Sequence, residues 1–237
     1  MTGMAIYTQV VASFATQAGK SIACEQTPRN VFYARHILEK QKNAKVIQLI
    51  RDPRAVIASQ KNRWKRKKLG GTSTPWSEVV RVWMNYHPYT MTKLWMKAAD
   101  AGEALKQHPR FFQLRFEDLV SNPEMVIADL CQFVGVDFQA AMLEVPIVGS
   151  SQRQDQGKKG FSAESVDSWR KTLDPAELWT IEKTAGELMT RYGYAPLANL
   201  PGLGIASVVA RYPLHVFGVT LSNPKRAWIQ ARAILGA

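Results

Sequence analysis

The sequence predicts an α/β fold, in which a parallel sheet is flanked by helices and a helical extension follows at the C-terminus. One observation is the segment VIQLIRDPRAVIAS at 46–59, where an apolar run typical of a buried parallel strand leads through a charged turn into a helix. A second is size and composition, because 237 residues with 46% hydrophobic residues are enough for the core of one large α/β domain.

The N-terminal segment predicts a helix and then a short strand. Apolar residues recur at helical spacing from Met4 to Phe14, and Gly19 ends that pattern. The segment SIAC at 21–24 predicts a strand with Glu25 at its end. Cys24 and Cys131 occupy apolar positions, so we expect buried thiols, no disulfide framework and a reducing, cytoplasmic compartment.

The turn after the strand at 46–50 is the candidate anion site. Pro53 suits the first turn of a helix, and free N–H groups at a helix N-terminus at the carboxyl end of a parallel strand favour a phosphate. Arg51 adds a planar cation suited to phosphate oxygens, and Ser59 follows about two helical turns later. The alternative is that Arg51 and Asp52 form a surface pair that caps an ordinary helix.

Much of the net charge of +12 lies in the run KNRWKRKK at 61–68. Such a run is most often a solvated helix face, but it also suits nucleic acid or anionic lipid. Because it directly follows the anion-site helix, a third interpretation is that it steers an anionic ligand toward the cleft. The sequence shows no cluster with the spacing of metal ligands.

The segment 77–100 predicts a long helix that Pro88 kinks or divides. Trp76, Trp83 and other apolar residues form its expected buried stripe. His87 lies beside the proline among aromatic residues, where it either packs in the core or faces a pocket.

Four stretches in order resemble the family of sulfotransferases that use 3'-phosphoadenosine 5'-phosphosulfate (PAPS). They are EQTPRNVFYARHIL at 25–38, RDPRAVIAS at 51–59, LRFEDLVSNPEMVIADLCQFVGVDF at 114–138 and KKGFSAESVDSWRKTLDPAELWTIEKTAGELMTRYGY at 158–194. They resemble the family's E-K-T-P element, its 3'-phosphate segment, its Y-E-D-L to F-L-G series and its R-K-G loop with the final G-Y. The resemblance implies a P-loop-like parallel sheet over 1–196, with 197–237 as the extension.

The family's first strand and its loop for the 5'-phosphosulfate have no counterpart here. The chain enters the family pattern one element late, so we expect a truncated N-terminus, because a sheet that lacks this strand has unpaired backbone groups and an uncovered apolar face. A truncated chain without this loop is expected to be inactive. The alternative is that the donor is bound without that loop.

The resemblance assigns the donor site residue by residue. Arg51 and Ser59 match the 3'-phosphate ligands, and Phe116 stands where the family often has a tyrosine near the adenine. The R-K-G loop corresponds to Lys158, Lys159 and Gly160, with lysine in place of arginine. We expect Glu117 and Asp118 to anchor their loop through hydrogen bonds. The implied donor is PAPS, and no metal is needed.

The catalytic base has two candidates. Glu25 stands at the glutamate of the E-K-T-P element, where some carbohydrate sulfotransferases have their base, and Gln26 replaces the lysine. His87 is the alternative, because phenol and steroid sulfotransferases use a histidine. If Glu25 is the base, we expect burial to raise its pKa.

Within the extension, the segment 203–221 is apolar but is interrupted by Arg211, Pro213 and His215, so it is a poor membrane span. The segment 222–235 predicts a capped helix with apolar and basic residues. We expect it to pack on the domain or on a second subunit in a homodimer, and peripheral contact with an anionic membrane is the alternative. The predicted partner is an acceptor with a hydroxyl or amine, not a specific nucleic acid. A nucleotide-dependent kinase would need a GK[ST] loop, and none is visible. A non-catalytic relative that binds polyanions stays open.

Overall fold

A computed structural model describes residues 3–65, 68–69, 72–73, 75–146, 159–163, 166–198, 200–202 and 204–235. Its helices are α1 (Gly3–Gln17), α2 (Ala34–Lys40), α3 (Pro53–Lys61), α4 (Trp76–Met84), α5 (Pro88–Glu103), α6 (Phe116–Ser121), α7 (Pro123–Val134), α8 (Pro175–Arg191), α9 (Ile205–Ser222) and α10 (Pro224–Leu235). The strands are β1 (Val46–Ile50), β2 (Lys68–Leu69), β3 (Thr72–Ser73) and β4 (Phe111–Arg115).

The parallel sheet pairs β1 with β4, and β2 with β3 forms a separate antiparallel pair. In the parallel pair Ile50 lies opposite Arg115, so both strands end at the same edge. One face packs on the core, but Ile47 and Leu49 on the other face are exposed. The prediction of a strand buried on both faces is therefore wrong.

The core lies between α3, α5 and α8, behind the covered face of the sheet. Ile57, Trp169, Ile181 and Met189 are among its fully buried side chains. Helix α8 begins with a capping box, in which Asp174 and Glu177 each accept a backbone N–H of the other.

The predicted N-terminal helix is confirmed, but the prediction of a strand after it is wrong. Helix α1 ends before Gly19, whose φ of +64° suits glycine, and no residue of α1 is buried. Residues 21–24 form a bend and an irregular segment and pair with no strand among the described residues. Cys24 is consequently exposed, whereas Cys131 is buried as expected.

Pro88 divides the predicted long helix into α4 and α5. Proline has no N–H and restricts the residue before it, so it begins α5 as a first-turn residue. The expected buried stripe is wrong for α4, because Trp76 is 78% exposed and Trp83 is 56% exposed.

The C-terminal extension forms two helices that pack on the domain. Helix α9 contacts α4 and α8, and α10 contacts α9 and α5. Pro213 lies inside α9 without ending it. By length and composition alone, α9 is long and apolar enough to cross a membrane, in contrast to the poor span predicted from the sequence.

Candidate active site

The carboxyl edge of the parallel sheet brings Arg51 and Phe116 together. Each residue directly follows its strand, and the two strands end side by side. The carbon at the centre of the Arg51 guanidinium lies 4.2 Å from the centroid of the Phe116 ring, within the range of a cation–π contact. Burial lowers the pKa of Arg51, which remains a cation because arginine titrates far above neutral pH. The edge therefore carries a partly desolvated cation.

The backbone of this edge is fixed by Trp95 and Glu117. The Trp95 indole N–H donates to the carbonyl of Arg51 at 2.9 Å, and the N–H of Asp52 donates to Glu117 Oε1 at 3.0 Å. The other Glu117 oxygen accepts from the Tyr194 hydroxyl at 3.1 Å. Burial is the main cause that raises the pKa of Tyr194, so this hydroxyl stays a donor. Glu117 thus anchors the turn through hydrogen bonds, as expected.

Behind the edge, Arg54 forms a buried charge cluster with Asp52 and Glu182. Arg54 Nη2 lies 2.7 Å from Asp52 Oδ2, and Arg54 Nη1 lies 2.9 Å from Glu182 Oε1. The same Nη1 donates to the carbonyl of Ala195 at 3.0 Å, and the guanidinium stacks on the ring of Trp169 at 4.4 Å. The cluster ties the 51–54 turn to α8 and to the segment after Tyr194.

The N-terminus of α3 is not the open anion site predicted from the sequence. The Asp52 N–H donates to Glu117, and the Arg54 N–H donates to Asp52 Oδ1 at 2.8 Å. Pro53 has no N–H, and the Val56 N–H donates to the Asp52 carbonyl. Carboxylates thus already accept from N–H groups at this helix end. An N-cap aspartate competes with any bound anion for the same donors. The N–H groups of Asp52, Arg54 and Val56 are therefore already bound within the protein.

The remaining predicted donor ligands lie on other elements. Ser59 is half-buried in the second half of α3. Lys159 is exposed and forms an ion pair with Glu144 at 3.3 Å. The Gly160 N–H donates to the carbonyl of Val145 at 2.8 Å, with a φ of +97°. Lys158 lies outside the described residues.

Glu25 is exposed and accepts hydrogen bonds from three side chains. Tyr7 of α1 donates to Oε2 at 2.9 Å, Asn30 donates to the same oxygen, and Thr27 donates to Oε1. The Thr27 hydrogen bond is the largest cause that lowers the pKa of Glu25. The expectation that burial raises this pKa is therefore wrong, because a carboxylate that accepts several hydrogen bonds is stabilised in its charged form. Glu25 is fully ionised at neutral pH.

His87 is buried beneath α9. Its Nε2 lies 3.1 Å from the carbonyl oxygen of Val208, and its ring packs against Tyr212 and His215. Burial lowers the pKa of His87 to about 4. The geometry makes His87 part of the contact between the domain and its extension.

The basic run 61–68 begins with a structural lysine. Lys61 Nζ lies 2.6 Å from Glu177 Oε2 and donates to the Thr172 carbonyl at 3.1 Å. Arg66 and Lys67 lie outside the described residues.

Sequence reasoning missed the roles of Arg54, Glu182 and Tyr194. Their contacts join residues more than 70 positions apart, which no local pattern reveals. The one available signal was the second arginine of RDPR, next to an N-cap aspartate. Within the part of the chain that the structure describes, no three histidine, cysteine, aspartate or glutamate residues come together as a metal site.

The architecture is that of a sulfotransferase domain. The sulfotransferase domain from the curacin biosynthetic pathway superposes with a TM-score of 0.53 and 21% identity, covering 80% of this chain and 68% of that one. The sulfotransferase domain from the Synechococcus PCC 7002 olefin synthase superposes with a TM-score of 0.50 and 24% identity, covering 79% of this chain and 64% of that one.

The chain belongs to the sulfotransferase family, because the family's model matches residues 2–140, more than half of its length. It is similar to mouse carbohydrate sulfotransferase 4, with 24% identity over 74% of this chain and 48% of the relative. The omega-hydroxy-beta-dihydromenaquinone-9 sulfotransferase Stf3 of Mycobacterium bovis is 25% identical over 71% of this chain and 40% of its own length. Carbohydrate sulfotransferase 3 of Tetronarce californica is 26% identical over 79% of this chain and 46% of its own length. The chain thus spans less than half the length of these relatives. The matched range includes Arg51 and Phe116 but ends before Lys159.

Proposed function

We propose that this protein transfers a sulfuryl group from PAPS to an acceptor that carries a hydroxyl or amine. The observation that carries the proposal is the Arg51 cation stacked on Phe116 at the carboxyl edge of the sheet, in a chain of the sulfotransferase family. Ligands of open α/β sheets collect at that edge. When bound, PAPS supplies the activated sulfuryl group, and its nucleotide carries the 3'-phosphate as a recognition handle.

Arg51 and Ser59 are proposed to hold the 3'-phosphate. A guanidinium offers paired donors that match phosphate oxygens, and partial burial strengthens such a contact because less water screens it. Phe116 orients the guanidinium and contributes an aromatic surface near the adenine. The buried Asp52–Arg54–Glu182 cluster keeps the turn in place, so the turn loses little conformational entropy on binding.

Lys159 and Gly160, together with Lys158, are proposed to contact the donor. In the described structure Lys159 is paired with Glu144, both side chains being exposed. An exposed ion pair contributes little, so Lys159 exchanges Glu144 for a bound anion at small cost.

Glu25 is the proposed base, and the geometry favours it over His87. Glu25 is exposed and ionised, so it is accessible to an acceptor hydroxyl. His87 has its Nε2 on a backbone carbonyl and lies under α9. Lowering the pKa of Glu25 reduces its driving force as a base, so positioning rather than basicity supplies most of its effect.

The acceptor class is proposed to be a hydroxyl on a carbohydrate or a hydroxylated lipid, on the basis of the relatives' names. The test is the transfer of radiolabelled sulfate from PAPS to one hydroxylated sugar and one hydroxylated prenyl quinol. Glu25→Gln should lower the rate by roughly 100-fold or more without weakening donor binding. Glu39→Gln, which changes an exposed glutamate on α2, is the matched control and should change neither quantity. Equal rates for Glu25→Gln and the wild type would remove the assignment.

A second candidate function is polyanion binding without catalysis, favoured by the net charge of +12. It predicts tight, salt-sensitive binding to heparin and no binding of 3'-phosphoadenosine 5'-phosphate (PAP). Calorimetry with both ligands separates the two functions.

A further inference from the structure

Helix α9 has a buried face that is held to the domain by both apolar and polar contacts. Val208, His215 and Val219 are buried and recur at helical spacing on one side. His215 Nδ1 lies 2.9 Å from the Met84 carbonyl oxygen, and its Nε2 lies 3.1 Å from the Thr90 hydroxyl. The helix cannot leave the domain without breaking these contacts and exposing buried ring nitrogens.

The opposite face of α9 is also apolar, and it is exposed. At about 100° per residue, the positions on the side opposite the buried stripe hold mostly apolar residues, with Thr220 as the polar one. The apolar residues there are Ala206, Ala210, Pro213, Leu214, Phe217 and Leu221. Leu214 is 72% exposed, Phe217 is 65% exposed and Leu221 is 68% exposed. A second, exposed apolar face on a helix whose first face is already buried is normally covered as well, so this face needs an occupant.

Charge identifies the occupant. Glu187 is the last acidic residue of the chain, and residues 197–237 contain four basic residues and no acidic one. Arg211, Lys225 and Arg232 are exposed. An apolar strip beside cations alone complements an anionic lipid surface. A symmetric contact with a second copy would instead bring these cations against one another.

Aromatic residues next to α9 fit the same occupant. Helix α10 exposes Trp228 and Ile229, and α4, which packs against α9, exposes Trp76 and Trp83. Tryptophan is favoured at the boundary between lipid headgroups and acyl chains because its ring is apolar and its N–H is polar.

We propose that the outer face of α9, with the basic residues of α10, docks this protein on an anionic lipid bilayer, with α9 lying in the plane of the interface. A spanning orientation would expose the buried face of α9, including His215, to lipid. The helix has 18 residues, which gives a length of about 27 Å along the membrane surface.

The test is flotation of the full chain with vesicles of phosphatidylcholine alone and of phosphatidylcholine with about one third phosphatidylglycerol. We expect binding to the anionic vesicles that weakens with salt, and much less binding to the neutral ones. The double substitution Phe217→Ser and Leu221→Ser should weaken binding on the order of 100-fold, because both side chains lose their burial in lipid. Met125→Ser, at an exposed apolar residue of α7, is the matched control and should bind like the wild type.

A charge test separates the two contributions. Lys225→Glu with Arg232→Glu should weaken binding to anionic vesicles by roughly 20-fold or more, while Lys42→Glu, at an exposed lysine before β1, should have a much smaller effect. Circular dichroism checks that all variants fold. Equal vesicle binding by the Phe217 and Leu221 variant and the wild type overturns the proposal. So does wild-type protein that does not bind the anionic vesicles; a dimer seen by light scattering that the same variant dissociates would then identify a second copy as the occupant.

Discussion

Replacing Arg54 with alanine tests the buried charge cluster behind the rim. The side chains of Arg54, Asp52 and Glu182 are 5%, 9% and 10% exposed, so water screens their interactions little. Arg54→Ala leaves two buried carboxylates without the cation that they share. Breaking a buried pair in this way costs about 3–5 kcal/mol, because the remaining charges stay desolvated.

The assay is urea unfolding followed by circular dichroism, with thermal unfolding as a second measurement. At about 2–4 °C per kcal/mol for a chain of this size, the melting temperature should fall by roughly 6–20 °C. Lys106→Ala is the matched control, since Lys106 forms an exposed ion pair with Glu103 at 3.5 Å and should cost less than about 0.5 kcal/mol. If Arg54→Ala costs no more than Lys106→Ala, the reasoning about this cluster is wrong.

Three further changes test the surrounding groups. Thr27→Val should raise the pKa of Glu25 toward its ordinary value, because the Thr27 hydrogen bond is the largest cause that lowers it. If Glu25 is the base, the acid limb of the plot of kcat/KM against pH should move to higher pH. A limb that does not move contradicts that role. Burial lowers the pKa of His87 from 6.5 to about 4. The contribution of neutral His87 to the free energy of unfolding is therefore fully present above about pH 6.5 and is lost as the pH drops toward 4, by up to about 3 kcal/mol. Urea unfolding at several pH values should show a flatter dependence for His87→Gln, and identical slopes would refute the assignment. Tyr194→Phe removes a hydrogen bond to Glu117 and should cost about 1–2 kcal/mol in thermal unfolding, whereas no change would mean that water replaces the hydroxyl.

The local elements were predictable because their signals lie within a few residues. The apolar run of β1, Pro53 at the start of α3 and Pro88 between α4 and α5 each act on their own stretch of backbone. The prediction of a strand at 21–24 was wrong, because an apolar run forms a strand only where another strand pairs with it.

The site was predictable only in part, for a related reason. The family resemblance names Arg51 and Phe116, and the parallel register explains why they meet. The cluster of Arg54 with Glu182, and the hydrogen bonds that hold Glu25 ionised, depend on contacts between separate segments. The burial of His87 likewise depends on where α9 packs.

The central claim is that Arg51 recognises the 3'-phosphate of the donor nucleotide. Calorimetry with PAP and with adenosine 5'-phosphate, each against the wild type and Arg51→Ala, isolates that contact, because the second ligand lacks only the 3'-phosphate. We predict that Arg51→Ala weakens PAP binding roughly 10- to 100-fold and leaves adenosine 5'-phosphate binding unchanged. Equal losses for both ligands, or wild-type protein that does not bind PAP, would contradict the account.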